Sequence, residues 1–102
     1  MPLTATSRNG IAIRLTEERW QHIVEEHAEV APFRSEVMKA VAEPICVFAG
    51  AAGELLGVRE LELELGKFIV VVYRELEGDG FVITAFLTRR MRSLERRRQI
   101  WP

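Results

Sequence analysis

The chain has 102 residues, of which 48% are hydrophobic and 28% charged, and its formal net charge is -1. This length suits one domain with one core, and the composition excludes a disordered chain, which would combine low hydrophobicity with high net charge. No apolar run approaches the roughly 20 residues of a membrane span, and residues 1–10 lack the hydrophobic core of a signal peptide. The single cysteine, Cys46, cannot form an internal disulfide and suits a reducing compartment. We therefore expect a single domain over residues 1–102, located in the cytoplasm.

The first predicted elements are a short strand and a helix. Residues 11–15 alternate like a strand, and Thr16, followed by two glutamates, predicts a helix N-cap. Apolar residues then recur at i, i+3, i+4 and i+7 from Trp20, a pattern that ends at His27. At 100° per residue, His27 falls within the buried stripe and His22 on the opposite side of the helix.

A second helix and four strands are predicted after it. The helix covers about residues 32–43, because proline is tolerated in a first turn and Pro44 discourages continuation. Short β-like runs and turn residues then predict strands at residues 45–48, 55–65, 68–73 and 81–88. We therefore predict an α+β fold in which two N-terminal helices pack on a four-stranded antiparallel meander, flanked by a short N-terminal strand and a C-terminal helical tail.

Three residues are candidate site residues, and two of them, Arg59 and His27, contradict the pattern of burial. Arg59 lies on the leucine side of its strand, so it should find an acidic partner, reach the rim of a cleft or bind an anion, unless it escapes to water at a strand end. His27 is either catalytic or a hydrogen-bonded core residue. His22 is either a surface residue or a group that neighbouring glutamates bring toward neutral titration.

Further candidates are individually weak. Thr84 and Thr88 share one strand face, and Arg74 ends the central strand, where the rim of a catalytic site could lie. The two histidines are five residues apart, which does not fit the i, i+4 spacing of the zinc motif H-E-x-x-H. We therefore expect no metal site and no cofactor.

Basic residues are concentrated at the C-terminal end. Residues 1–80 carry 8 basic and 14 acidic side chains, whereas residues 81–102 carry 6 and 1. The cluster can contact phosphates, or it can be a solvated tail or helix face. Its members are Arg89, Arg90, Arg92, Arg96, Arg97 and Arg98.

Several short motifs occur in order along about residues 15–90. They are Trp20-Gln21-His22-Ile23, His27-Ala28-Glu29, Pro44, Arg59, the apolar run 68–73 and Phe81-Val82-Ile83-Thr84-Ala85-Phe86. In this combination they resemble a family of small bacterial and phage-associated domains of the barnase, EndoU, colicin and RelE-like nuclease superfamily. The family pattern commonly has proline where this chain has Ala28. This difference affects the expected end of the first helix more than the expected catalytic residues.

The resemblance implies a metal-independent ribonuclease site on the face of a four-stranded antiparallel sheet. His22 or His27 would act as general base or acid on the RNA 2'-hydroxyl or the leaving 5'-oxygen. Arg59, together with Arg74, would bind the scissile phosphate.

In the same scheme, Thr84 or Thr88 would orient a phosphate oxygen, and the C-terminal arginines would bind the flanking RNA backbone. The expected partners are RNA and a regulatory protein such as an antitoxin, with no membrane partner. Two alternatives remain open. One is a module on the same fold that binds RNA or protein without catalysis, and the other is a small metabolic enzyme acting on a different substrate.

Overall fold

A seven-stranded sheet forms the centre of the protein in the computed structural model, which describes residues 3–102. Its strands run in the order β1-β2-β6-β5-β4-β3-β7, and all neighbours are antiparallel except the pair β2 and β6. The strands are β1 Leu3–Thr6, β2 Ala12–Leu15, β3 Cys46–Ala49, β4 Leu55–Glu60, β5 Phe68–Leu76, β6 Asp79–Thr88 and β7 Gln99–Trp101. The helices are α1 Glu17–Glu26, a 3₁₀ helix Ala28–Phe33, α2 Arg34–Ala42 and α3 Met91–Glu95.

The predicted architecture is wrong, because this α+β protein has a seven-stranded mixed sheet and three α-helices within residues 3–102, not two helices on a four-stranded antiparallel sheet. The strands β1 and β2 form a hairpin, and β2 then pairs in parallel with β6. At the other edge of the sheet, β7 pairs with β3 where a helical tail was expected. The short strands β1, β2 and β7 have three or four residues each, too few for a periodic pattern to reveal their partners.

The start of α1 agrees with the sequence, and the start of α2 does not. The Thr16 side chain accepts a hydrogen bond from the Arg19 backbone N–H at 3.1 Å, which confirms the predicted N-cap. The predicted second helix begins too early, because residues 28–33 form a 3₁₀ helix that contains Pro32 and α2 begins only at Arg34.

The predicted strand 55–65 is also too long. Strand β4 ends at Glu60, whose carboxylate accepts the Gly66 backbone N–H at 2.7 Å and closes a loop over residues 61–67. Leu61 turns into the core, but Leu63 and Leu65 are 97% and 79% exposed. Alternation of leucine and glutamate therefore continues along a segment that is a surface loop.

The sheet has two faces with different covers. Helices α1 and α2 pack on one face, called here the helix face, against buried side chains such as Ile69 and Val71. The opposite face is called here the second face. Its buried side chains pack with Leu94 of α3 and are Cys46, Phe48, Leu56, Val58 and Val70.

Leu94→Ala is expected to lower the free energy of unfolding by about 2 kcal/mol, since it removes buried apolar volume above the second face. Burial raises the pKa of the nearby Cys46 thiol, with a smaller contribution from the Glu95 carboxylate. Loss of the leucine should therefore also accelerate alkylation of that thiol. Urea denaturation and the alkylation rate measure the two effects. The matched variant Leu76→Ala, at a 49% exposed leucine, should change each far less, and equal effects of the two variants would contradict the prediction.

Candidate functional site

An open cleft of about 440 Å³ lies on the second face. Its floor is apolar and consists of Leu56, Val72 and Phe86, one from each of three adjacent strands. One wall is the β3–β4 loop, residues 50–54, and the other is formed by α3 and the residues after it, including Arg97. The cleft therefore combines an apolar floor with a carboxylate, that of Glu54, on one wall and a cation, that of Arg97, on the other.

Arg74 stands beside the loop wall. It lies on the same face of β5 as Val72 and donates a hydrogen bond to the Ala52 carbonyl oxygen at 3.0 Å. The Glu54 carboxylate accepts the Ala52 backbone N–H at 2.9 Å, so side chains on both flanks hold the loop. A guanidinium has five N–H donors, so the bond to Ala52 leaves donors for an anionic ligand.

The two predicted threonines also lie on the second face. In the continuous register that precedes a shift after Val72, Thr84 pairs with that residue and Thr88 pairs with Phe68, both on the face that carries Phe86. The Thr88 hydroxyl accepts the Arg90 backbone N–H at 3.0 Å and so helps to turn the chain toward α3. Thr84 is thus the threonine next to the cleft floor, and Thr88 has a local structural partner.

His27 lies at the outer edge of β6. Strand β2 pairs with β6 only at Gly80 and Phe81, and α1 and the 3₁₀ helix contact β6 as well. The His27 ring, at the C-cap of α1, has its centroid 6.1 Å from that of Phe86. Its side chain is 34% exposed, and its Nδ1 lies 3.6 Å from a Glu29 carboxylate oxygen. The imidazole is therefore solvent-accessible and next to a residue of the cleft floor.

His22 lies elsewhere. It is exposed on α1, with its Nε2 2.7 Å from a carboxylate oxygen of Glu26 one turn later. The surface depression that it lines contains only residues of α1 and its N-cap. The structure therefore separates the two predicted histidines.

Arg59 lies on the helix face, opposite Arg74 and the two threonines. Its guanidinium donates a hydrogen bond to the Glu43 carbonyl at the C-terminus of α2, at 2.6 Å, and lies 3.8 Å from a Glu62 carboxylate oxygen. Its Nε is buried without a hydrogen-bond partner. The expected acidic partner is present, but the six predicted catalytic residues do not form one site.

The C-terminal arginines surround α3. Within residues 3–102 none of the six forms a side-chain ion pair. Arg97 lines the cleft, while the Arg98 carbonyl accepts the Ala49 backbone N–H at 2.8 Å and ties the segment to β3. A second depression, of about 520 Å³, surrounds Met91 and Ser93 and is lined by Arg89, Arg90, Arg92 and Arg96. Cations without internal partners therefore extend from the cleft along α3.

The glycines of residues 49–53 predict the turn between β3 and β4, but not that this loop and Glu54 form a wall of the cleft, and the sequence interpretation also missed the cover of the second face by Leu94. Only the position of Phe86 between two threonines on one strand face could have indicated the floor. The part of the chain that the structure describes contains no group of three histidine, cysteine or acidic residues able to hold a metal ion. Over the same residues it has no helix long and apolar enough to cross a membrane.

No family model, curated protein or solved structure matches this chain.

Proposed function

We propose that this protein is a metal-independent endoribonuclease that binds RNA across the second-face cleft. The observation that carries the proposal is an apolar-floored cleft with Arg97 on one wall and Arg74 bonded to the loop that forms the other wall, with the His27 imidazole adjacent to the floor residue Phe86. Cations next to an apolar surface suit a ligand that has phosphates and planar bases.

The two guanidiniums have the role of holding the scissile phosphate. Each presents N–H donors in a planar fork that matches phosphate oxygens, and charge-assisted hydrogen bonds of this kind are stronger than neutral ones. Both can stabilise the negative charge that builds up on phosphorus-bound oxygens in the transition state. Thr84, beside the cleft floor, would orient one of these oxygens.

The chemical step is an internal transesterification. Neutral His27 takes the proton of the RNA 2'-hydroxyl, and the 2'-oxygen forms a bond to phosphorus. The bond between phosphorus and the 5'-oxygen breaks, and that oxygen leaves with the electron pair and takes a proton from water. The products are a 2',3'-cyclic phosphate and a 5'-hydroxyl end. The mechanism cannot act on DNA, which lacks the attacking hydroxyl.

The flanking arginines around α3 would bind the RNA backbone on one side of the cleft. Binding of this kind releases counterions, so affinity should fall steeply with salt. The proposal includes action in the cytoplasm and, as for other self-damaging nucleases, restraint by a partner protein.

Cleavage of RNA in excess EDTA is the expected result for the purified protein. The measurement is gel analysis of end-labelled RNA, with the cyclic phosphate identified by its sensitivity to acid opening. The matched substrate carries one 2'-deoxy nucleotide at the cleaved position and should resist cutting there while it is cut elsewhere. Intact RNA across structured and single-stranded substrates would reject the proposal.

A second candidate function is RNA binding without catalysis. One observation favours it: among residues 3–102, His27 has no hydrogen bond or ion pair with Arg74, Arg97 or Thr84. A binding module would retain RNA at low salt, release it at high salt and yield no product. Alanine at His27 would then leave binding unchanged, while alanine at Arg74 or Arg97 would weaken it.

A further inference from the structure

Two features at one end of the sheet take no part in the chemical step, although the proposed function assigns the arginines of the second feature to the RNA backbone. The first is the loop 61–67, called here the leucine loop, in which Leu63 and Leu65 are 97% and 79% exposed. The second is the depression around Met91, called here the arginine surface, with the lining residues Arg89, Arg90, Met91, Arg92, Ser93 and Arg96. An exposed apolar patch that polar residues surround is the kind of surface that binds another protein.

The chemistry of the two surfaces is complementary. Glu62 and Glu64 flank Leu63, so the leucine loop presents apolar tips between carboxylates. Glu62 lies 3.8 Å from Arg59 and Glu64 lies 3.4 Å from Lys67, but the two acidic side chains are 67% and 47% exposed and can accept further donors. The arginine surface presents guanidiniums around the apolar Met91, and none of them has an ion pair within the described residues. A leucine against Met91 would carry its two neighbouring carboxylates onto the arginines.

The positions of the two surfaces at one end of the sheet favour a two-fold symmetric dimer. Phe68, the first residue of β5, pairs with Thr88, the last residue of β6. The leucine loop ends just before Phe68 and the arginine surface begins just after Thr88, so both lie at the same end of the sheet. A two-fold axis between them would bring each loop onto the arginines of the other molecule, and such an interface closes instead of extending into a fibre.

We propose that the leucine loop and the arginine surface form a two-fold interface between two copies of this chain. The dimer covers arginines that the proposed function assigns to RNA, so RNA and the second copy compete for the same cations. Dimer formation itself depends only on the two surfaces and does not require that the protein cleave RNA.

The test is sedimentation of the purified full chain without RNA, over about two decades of concentration. We expect a monomer–dimer equilibrium that weakens by at least about tenfold between about 50 mM and about 500 mM salt. A monomer at every concentration in low salt would overturn the proposal. So would a dimer that is insensitive to the substitution pair Leu63→Glu and Leu65→Glu, whose exposed positions should tolerate the change without unfolding.

Charge reversal distinguishes this interface from any other. The variant Glu62→Lys with Glu64→Lys sets lysines against arginines in its own dimer, and Arg90→Glu with Arg92→Glu sets glutamates against glutamates. Each variant alone should be monomeric, and an equal mixture should dimerise, because both contacts of the mixed pair join opposite charges. If the mixture stays monomeric, the interface is not the one proposed. Addition of a single-stranded RNA should dissociate the wild-type dimer, and a dimer that keeps its full strength in RNA would exclude the competition.

Discussion

Replacing His27 with alanine is expected to slow RNA cleavage by about 10²- to 10³-fold, the usual effect of removing a general base. Among residues 3–102, the imidazole approaches the cleft at Phe86 and makes no side-chain hydrogen bond, and its Nδ1 lies 3.6 Å from a Glu29 carboxylate oxygen. The loss should therefore appear in the rate constant of the chemical step, with RNA affinity nearly unchanged. Single-turnover cleavage and binding of a 2'-deoxy oligonucleotide measure the two quantities separately.

The other histidine provides the matched control. His22→Ala removes the same chemical group from the exposed side of α1, where it is paired with Glu26, and should retain the wild-type cleavage rate. Equal losses from the two substitutions would indicate damage to the helix and not to the reaction. A large loss of cleavage rate for His22→Ala with none for His27→Ala would indicate that the general base is His22, on the exposed side of α1. That result would contradict the proposed site.

Gly57→Ala is expected to lower the free energy of unfolding by about 3 kcal/mol, the upper part of the range for overpacked cores. Gly57 lies in β4 on the helix face, and a methyl group there would come within 2.5 Å of the Ala40 carbonyl oxygen. That oxygen belongs to the backbone of α2, so relief requires a shift of the whole helix away from the sheet. Chemical denaturation of the purified variant measures the change.

Gly66→Ala is the control for this substitution. A methyl group at Gly66 meets nothing within 4 Å, but the residue has a φ of 83°, a conformation that costs an L-residue about 1 kcal/mol. The two variants therefore separate steric overlap from backbone strain. If Gly66→Ala destabilises as much as Gly57→Ala, the close approach of β4 and α2 is not the main constraint at Gly57.

Part of the fold could be predicted because its signals are local. Thr16 caps α1 through a hydrogen bond to a residue three positions later, and the β5–β6 hairpin follows from two apolar runs around the turn at Glu77 and Gly78. The long strands β5 and β6 have enough residues for their pattern to be recognised. The error in α2 has a local cause too, since proline at position 32 suits a 3₁₀ helix as well as a first α-helical turn.

The candidate site could be predicted only in part, because a residue's face on a strand does not say what lies over that face. Arg59 is on the predicted side of β4. The C-terminus of α2 covers that side at this position, and the Glu43 carbonyl accepts a hydrogen bond from the guanidinium. Arg74 was only a secondary candidate, and it stands at the cleft because the β3–β4 loop folds against it. Assignment of the two arginines to opposite faces required the pairing of β4, β5 and β6.

Local patterns along the chain suffice to predict the α1 cap, the long strands of the hairpin, the difference between the two histidines and the basic C-terminal end, since each depends on neighbours a few residues away. The seven-stranded order, the parallel pairing of β2 with β6 and the exposure of Leu63 and Leu65 follow only from how the chain folds. These features depend on contacts between residues far apart in the chain, such as Arg14 opposite Phe81. Short strands gain their stability from such partners and carry little periodic signal of their own.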